Sequence, residues 1–549
     1  MSYLIFSAIA AIFIILILLQ INKRNGRKLL NTIRANWGKP KTGYFHFERI
    51  EKFFEFVPDR SFHQLSDQTI FDIDFYNIFT FIDRTTSKVG QQYLFKKLMS
   101  PSNAIEELKR FDATVNFFTA NEALREEIQI ELTKLGHSDA YSLSSLFRNK
   151  LMVNPPRYGL LIIRVFLLIA LLALSLKFPV LLICALSLVV INTIQHYWNK
   201  NNIFQFSRSL PQLNVLMTIA KIIHKKDAFL KDASVEKSEL ELRKLRYPMA
   251  LLRLGNNGGA IDDLSGIFSY FIELINGAFL IEIFTIHHVT KVLEKNKEHI
   301  LSLFNYIGNI DTAIAVASLR HGVKNVCTPN FTDEKKELFV QNIYHPLIAN
   351  CATNNLSING KSILITGSNM SGKTTFLRTL IINSILAQSI YTCFADKFTT
   401  PLLKQFSSIR IDDNLMEAKS YFLEEVTIVS SLINEVSSPD QNIFFLDEVF
   451  KGTNTVERIA SAKAILSYLN RHNNMVIVST HDVELADMLR DEYDLYHFTE
   501  TIQQDQLHFD HKLKAGPLKT RNAIKILELS DFPADIIDEA NNISGKRSQ

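Results

Sequence analysis

The sequence predicts a mixed fold: a mainly α-helical N-terminal and core region that includes transmembrane helices, followed by a C-terminal α/β domain. Three observations predict it. Two stretches are almost purely apolar over lengths that suit a bilayer. The segments between them carry Leu, Ile and Phe at three- and four-residue spacing among many Lys and Glu. Beyond about Asn325, short β-branched runs alternate with helical ones. The 549 residues allow several domains with ample core, and 21% charged against 47% hydrophobic residues excludes a disordered chain. A formal charge of +4 neither requires nor excludes nucleic acid, because a local basic face can sit inside a nearly neutral total. Cys184, Cys327, Cys351 and Cys393 form no Cys-x-x-Cys or Cys/His cluster, which argues against a zinc site or disulfide framework and for a reducing compartment.

Residues 3–21 are nearly uninterrupted Leu, Ile, Ala and Phe, closed by Lys23, Arg24, Arg27 and Lys28, so residues 1–28 read as an N-terminal transmembrane anchor. No charge precedes the run and no Ala-x-Ala-like site follows it, against a cleaved signal peptide. Residues 45–150 read as a first helical core segment. Residues 156–197 follow as a transmembrane helical hairpin broken at Lys177-Phe178-Pro179, with Arg164 able to snorkel to the near interface. A soluble helix pair would carry more polar positions at helical spacing. The basic residues after Ile21, with Arg157 and Lys200, place the polar segments on the cytoplasmic side of an inner or plasma membrane. Residues 200–325 form a second helical segment. Within it, Lys221, Lys225, Lys226 and Lys231 could meet phosphates but read better as a solvated helix face, and the apolar stretch 267–284 is interrupted by Glu273, Asn276 and Glu282, which suits a packed or oligomer-facing helix.

The chemistry falls in residues 326–549. Ser362-Ile363-Leu364-Ile365-Thr366 reads as a buried strand that runs into Gly367-Ser368-Asn369-Met370-Ser371-Gly372-Lys373-Thr374 and then into the helical run beginning at Thr375. Gly-x4-Gly-Lys-Thr between a strand and a helix is a phosphate loop. The glycines let backbone N–H groups wrap phosphates at a helix N-terminus, Lys373 neutralises β/γ charge and the Thr374 hydroxyl suits Mg²⁺. ATP is the implied ligand. Asn442-Ile443-Phe444-Phe445-Leu446 is a second strand ending in Asp447-Glu448, where Asp447 suits Mg²⁺ and Glu448 a general base for water. A third strand, 475–479, ends in Thr480-His481-Asp482, which would set His481 beside the γ-phosphate.

These residues resemble a known family. Thr366-Gly367-Ser368-Asn369-Met370-Ser371-Gly372-Lys373-Thr374-Thr375 is similar to the Thr-Gly-Pro-Asn-Met-Gly-Gly-Lys-Ser loop of MutS ATPases, in which Asn-Met is distinctive. The run 446–455, Leu-Asp-Glu-Val-Phe-Lys-Gly-Thr-Asn-Thr, resembles the family's Asp-Glu-x-x-x-Gly-Thr, and Thr480-His481 its Thr-His. Ser420-Tyr421-Phe422-Leu423-Glu424-Glu425 is similar to its Ser-Thr-Phe-Met-x-Glu signature. Upstream, Asp83-Arg84-Thr85-Thr86 with Gly90 to Pro101 resembles the helical core, and His345-Pro346-Leu347 with Asn354-Asn355 the lead-in to the ATPase domain. The resemblance implies a P-loop NTPase domain of the ABC/MutS type, ATP with Mg²⁺, and a homodimer in which Ser420 of one subunit approaches the nucleotide of the other. DNA is an implied partner, and the bilayer another.

The sequence also departs from the pattern. Phe45-His46-Phe47-Glu48 has the wrong spacing for the family's Phe-x-Glu mismatch wedge, and an apolar hairpin lies where the DNA clamp would interrupt the core. The short stretch before Asp67 and the end at Gln549 lead to the expectation of neither mismatch readout nor DNA cutting. Two functions are compatible: a membrane-anchored MutS-like ATPase acting on DNA in a mismatch-repair-related role, or a membrane-bound ATP-driven switch acting on a protein or membrane partner. An ABC transporter subunit fits less well, since the spans are few and Ser-Tyr-Phe replaces Ser-Gly-Gly-Gln.

Overall fold

The computed structural model describes residues 20, 23–57, 62–148, 158–245, 273–368, 370–410, 421–450, 454–503, 506–518 and 532–546. Nearly all of the expected anchor at 3–21, the first part of the 267–284 stretch, Asn369 and Ser420 lie outside these residues. The chain divides into two compact units interleaved in sequence: residues 1–58, 83–96 and 114–319 form one, and residues 59–82, 97–113 and 320–549 the other.

The first unit is helical. Helices α1 (Tyr158–Ser175) and α2 (Leu181–Lys226) form the expected hairpin, joined by a turn at the predicted break. Their apolar windows bury only 11% and 17% of their residues, with Phe166, Ile163, Ile183 and Trp198 facing outward, so the hairpin presents a long apolar surface, and both windows are long and apolar enough to cross a membrane. α2 continues without interruption for 46 residues and contains Pro211. Residues 273–279 lie against the hairpin, where Ala278 packs with Leu168 and Ala185, and Asn192 Nδ2 donates to the Ala278 carbonyl at 2.9 Å. This is a packed segment, as its polar residues indicate.

After α3 (Ile281–Lys295), α4 (Lys297–Gly322) is also long and apolar enough to cross a membrane, yet 72% of its window is buried in protein. It is the core helix of this unit: Phe304 stacks on Phe53 at 4.1 Å and meets Phe147 edge-on. Asp311, fully buried on α4, accepts from the backbone N–H groups of Thr86 (2.8 Å) and Ser87 (2.7 Å) and from the Ser87 hydroxyl. A Cβ at Gly90 would lie 2.2 Å from the Asp311 carboxylate, so only glycine lets the turn approach this closely.

The second unit holds the α/β part. Strands β1 (Asn330–Phe331), β2 (Glu337–Ile343), β3 (Asn354–Asn359) and β5 (Lys397–Thr400) make a four-stranded sheet of order β1-β5-β2-β3. A six-stranded sheet runs β12-β9-β4-β8-β7-β6, from β4 (Ser362–Thr366), β6 (Lys404–Ser408), β7 (Asn442–Asp447), β8 (Met475–Thr480), β9 (Tyr493–His497) and β12 (Lys514–Ala515). All its pairings are parallel except β12 with β9. Such strands are buried on both faces, and β4 and β8 are accordingly buried at every position, with consecutive apolar residues at 363–365 and 475–478. Helices α5 (Lys373–Ile390), α6 (Tyr421–Glu435) and α7 (Thr455–Leu469) connect them, and β10 (Glu500–Gln503) pairs with β11 (Gln506–Phe509) as a hairpin.

The edge strand β6 is capped by residues from the start of the chain. Asp72, fully buried at the end of the helix Asp67–Asp72, accepts from the Ser407 hydroxyl (2.7 Å) and from the backbone N–H groups of Ile409 (3.0 Å) and Arg410 (2.8 Å). His63 Nε2 meets the Gln405 carbonyl at 2.8 Å and therefore carries its proton there as donor. Covering the edge in this way blocks strand addition by another chain.

Burial, with a smaller contribution from Lys404, lowers the His63 pKa to about 4 from an ordinary 6.5. The folded state favours the neutral ring, so its contribution is complete above the unfolded pKa and is lost as pH falls from 6.5 towards 4, reaching about 3 kcal/mol. Melting temperatures measured across that interval should therefore fall more steeply for the native protein than for His63→Gln; parallel curves would assign the acid sensitivity elsewhere.

Candidate active site

β4, β8 and β7 end in step. Thr366 is opposite Thr480, and Asp447 opposite Ser479, so the loops leaving three adjacent parallel strands emerge together at their carboxyl ends, where open α/β sheets hold ligands. β4 runs into the glycine-rich loop. Gly367 has φ +147° and a Cβ there would lie 2.7 Å from the Phe498 carbonyl; Gly372 has φ +109° at the N-cap of α5. Both positions need glycine, and together they turn the loop so that α5 begins at Lys373 with its first N–H groups facing the turn.

Lys373 is 2% exposed, and its ammonium donates to the carbonyls of Gly367 (2.7 Å) and Ser368 (2.9 Å), with His481 Nε2 at 3.3 Å. The Thr374 hydroxyl donates to Asp447 Oδ2 at 2.5 Å, and the Ser479 hydroxyl donates to the other oxygen of the same carboxylate. Glu448 follows at φ +56°, its N–H held by the Ser479 carbonyl, and its carboxylate lies 2.6 Å from His481 Nε2. The structure thus brings Lys373, Thr374, Asp447, Glu448 and His481 to one place. Thr375 lies in the same first turn of α5, Ser371 is buried with its hydroxyl on the Ser368 carbonyl, and Met370 is 74% exposed.

Two cavities flank this group. One of about 410 Å³ is bounded by Met370, Phe376, Ile348 and Ile343 on its apolar part and by Asn350, Asn354, Thr375, Thr379 and His511 on its polar part, a mixed lining that could take a planar base with hydrogen-bonding edges. The other, about 300 Å³, lies against Glu448, His481 and the paired Arg458 and Asp482. Sequence reading missed this last pair, in which the guanidinium grips the carboxylate through two bonds of 3.1 and 2.9 Å. Asp482 sits inside the Thr-His-Asp run, so a partner for it was the available signal. It also missed His511, whose ring meets the Ser371 carbonyl at 3.0 Å, and Glu500, which accepts from the Ser368 hydroxyl at 2.9 Å. Both follow the β9 strand, where no motif marks them.

The family described as MutS domain V matches residues 363–546, the stretch that contains this whole group. Residues 363–546 are thus similar to a MutS domain V. Among curated relatives, the DNA mismatch repair protein MutS of Geobacillus sp. (strain WCH70) is 30% identical over 278 residues, 47% of this chain and 31% of that protein. The MutS of Petrotoga mobilis is 31% identical over 273 residues, covering 48% and 32%, and that of Listeria monocytogenes serotype 4a is 33% identical over 196 residues, covering 34% and 22%. The chain thus matches about a third of the length of the first of these relatives.

Substituting Gly367→Ala sets a methyl group against the Phe498 carbonyl at a φ that alanine rarely adopts. Nucleotide affinity should drop by roughly tenfold or more as the loop is displaced. Equilibrium binding of a fluorescent ATP analogue measures this, and wild-type affinity in a folded variant would show that the loop tolerates the change.

Proposed function

We propose that this protein is a membrane-anchored MutS-like ATPase that binds and hydrolyses ATP as a homodimer and acts on DNA. The observation that carries the reading is the convergence of Lys373, Thr374–Asp447 and Glu448–His481 at the ends of three parallel strands. Lys373 exchanges the Gly367 and Ser368 carbonyls for phosphate oxygens, and the backbone N–H groups at the start of α5 complete the cradle. Glu448 takes a proton from the attacking water, with His481 holding its carboxylate in place. The Thr374 hydroxyl and the Asp447 carboxylate are hard oxygen donors already within bonding distance of each other, a donor set that fits Mg²⁺. Bound Mg²⁺ supplies charge neutralisation on the β- and γ-phosphates.

Exposed apolar side chains on the same unit, Met370 (74%), Val456 (79%), Leu423 and Met488, support a dimer that covers them and brings Ser420 of one subunit to the nucleotide of the other. The outward apolar surface of the α1–α2 hairpin supports membrane insertion, with the ATP site on the cytoplasmic side. That same surface favours a second reading, in which the ATP cycle acts through the hairpin on a protein or membrane partner instead of DNA.

Glu448→Gln should leave ATP binding intact and lower turnover by about 10² to 10⁴ in steady-state hydrolysis; an unchanged rate removes Glu448 from the chemistry. Hydrolysis by detergent-purified protein with duplex and branched DNA across a salt series separates the two readings. DNA-acting protein should show stimulation that fades as salt rises. A rate indifferent to every DNA supports the partner-coupled switch.

A further inference from the structure

Two of the four cysteines, far apart in sequence, meet in the second unit. Cys327 and Cys393 form an isolated antiparallel bridge and exchange both backbone hydrogen bonds. The Cys327 N–H donates to the Cys393 carbonyl at 2.9 Å, and the Cys393 N–H donates to the Cys327 carbonyl at 2.8 Å. Residues paired in this way point their side chains to the same face with Cα atoms about 5.5 Å apart, inside the roughly 4.4–6.8 Å that a disulfide spans. Both are free thiols.

The two thiols are not equivalent. Cys393 is fully buried, its sulfur 3.7 Å from the Asn383 carbonyl, whereas Cys327 is half-buried, so a small reagent reaches Cys327 first. A hydrogen bond with Cys393, helped by the Arg320 guanidinium, lowers the Cys327 thiol below its ordinary pKa against the opposing effects of burial and Asp396. Burial pushes the Cys393 thiol up. Arg320 is anchored beside the pair: Nε donates to the Thr392 hydroxyl at 3.0 Å, Nη2 donates to the Tyr391 carbonyl at 2.8 Å, and Nη1 lies 2.7 Å from Asp112. A partly exposed sulfur near a cation, with a second thiol against it, is the arrangement that oxidants select.

We propose that Cys327 and Cys393 form an oxidisable pair, a modification site at which a peroxide converts two thiols into a reversible disulfide within the chain. The Cys327 thiolate attacks one peroxide oxygen. The S–O bond forms, the O–O bond breaks, and the departing hydroxide becomes water with the proton that Cys327 released. The Cys393 sulfur then attacks the Cys327 sulfenic acid. The S–S bond forms, the S–O bond breaks, and the second hydroxide leaves as water with the Cys393 proton. Two thiols are oxidised, one peroxide is reduced to two waters, and a dithiol reductant reverses the change. In a reducing compartment the pair rests as thiols. The bond closes a loop over residues 327–393, which holds the glycine loop and the whole of α5. Oxidation therefore restrains the segment that carries Lys373 and Thr374.

The test treats the full-length wild-type chain in detergent with equimolar hydrogen peroxide, alkylates the remaining thiols and maps all four cysteines by mass spectrometry. A linked peptide pair joining Cys327 to Cys393 is expected, with no covalent dimer on a non-reducing gel and full return of both thiols with dithiothreitol. Cys351, also half-buried, is the internal comparison: Cys327 should be oxidised roughly tenfold faster or more. Cys393→Ser removes the second thiol, so Cys327 should stop at the sulfenic acid and be captured by dimedone. Four results overturn the proposal: both thiols still open to alkylation after the peroxide is consumed, a Cys327 link only between chains, equal oxidation of Cys327 and Cys351, or no dimedone adduct in folded Cys393→Ser protein. If that variant does not fold, the wild-type map decides alone.

Discussion

The hydrogen bond from the Thr374 hydroxyl to the Asp447 carboxylate joins two segments far apart in sequence, and it exists because β4, β8 and β7 pair in parallel register. A slip of one residue in either pairing would turn the strand-end side chains to the opposite face of the sheet. Asp447 would then point away from the first turn of α5, and Glu448 away from His481. Register is in turn fixed by the buried core of the sheet, where Leu364, Phe444, Leu446, Val476 and Val478 pack together. The polar chemistry is held at a fixed position by apolar packing below it.

Much of this was legible in the sequence. The strand at 362–366 matches its observed bounds, and 442–446 and 475–479 each fall one residue short, because a fully apolar run between turn residues leaves little freedom for another structure. The glycine loop was legible because glycine at φ +147° and +109° is a local requirement written in single residues. The hairpin was legible from apolar length alone. The capping of β6 by Asp72 and His63 was not, since it depends on contacts spanning more than three hundred positions and on side chains that look ordinary in sequence. Arg458 with Asp482, and His511 with the Ser371 carbonyl, are closer in sequence but equally hidden, because no motif marks either partner. The buried aspartate of α4 is a milder case: a charged residue in an apolar helix signals a partner, but only the fold reveals that the partners are the Thr86 and Ser87 amides.

Eleven described non-glycine residues have positive φ; most, among them Leu280, Lys336, His472 and Asn473, lie away from the glycine loop, but three lie near it. Glu448, Phe450 and His511 are non-glycine residues at φ of 56°, 63° and 49°, and each lies beside the glycine loop or its facing strand ends. Each such residue costs on the order of 1–3 kcal/mol, which surrounding structure must offset. At Glu448 the offset is visible: its N–H is held by Ser479 and its carboxylate by His481, so the side chain is directed by the neighbouring strand and not by its own backbone preference.

Helix α2 has a mechanical consequence. Forty-six residues of continuous helix extend about 69 Å, from the apolar hairpin deep into the polar part of the same unit. A flexible tether would let the two ends turn independently; a rod does not. Twist applied at one end arrives at the other, and the compliance is concentrated at Pro211, where one backbone hydrogen bond is missing. The helix is built as a drive shaft with a single soft coupling, and the apolar end and the polar end of this unit form one mechanical element.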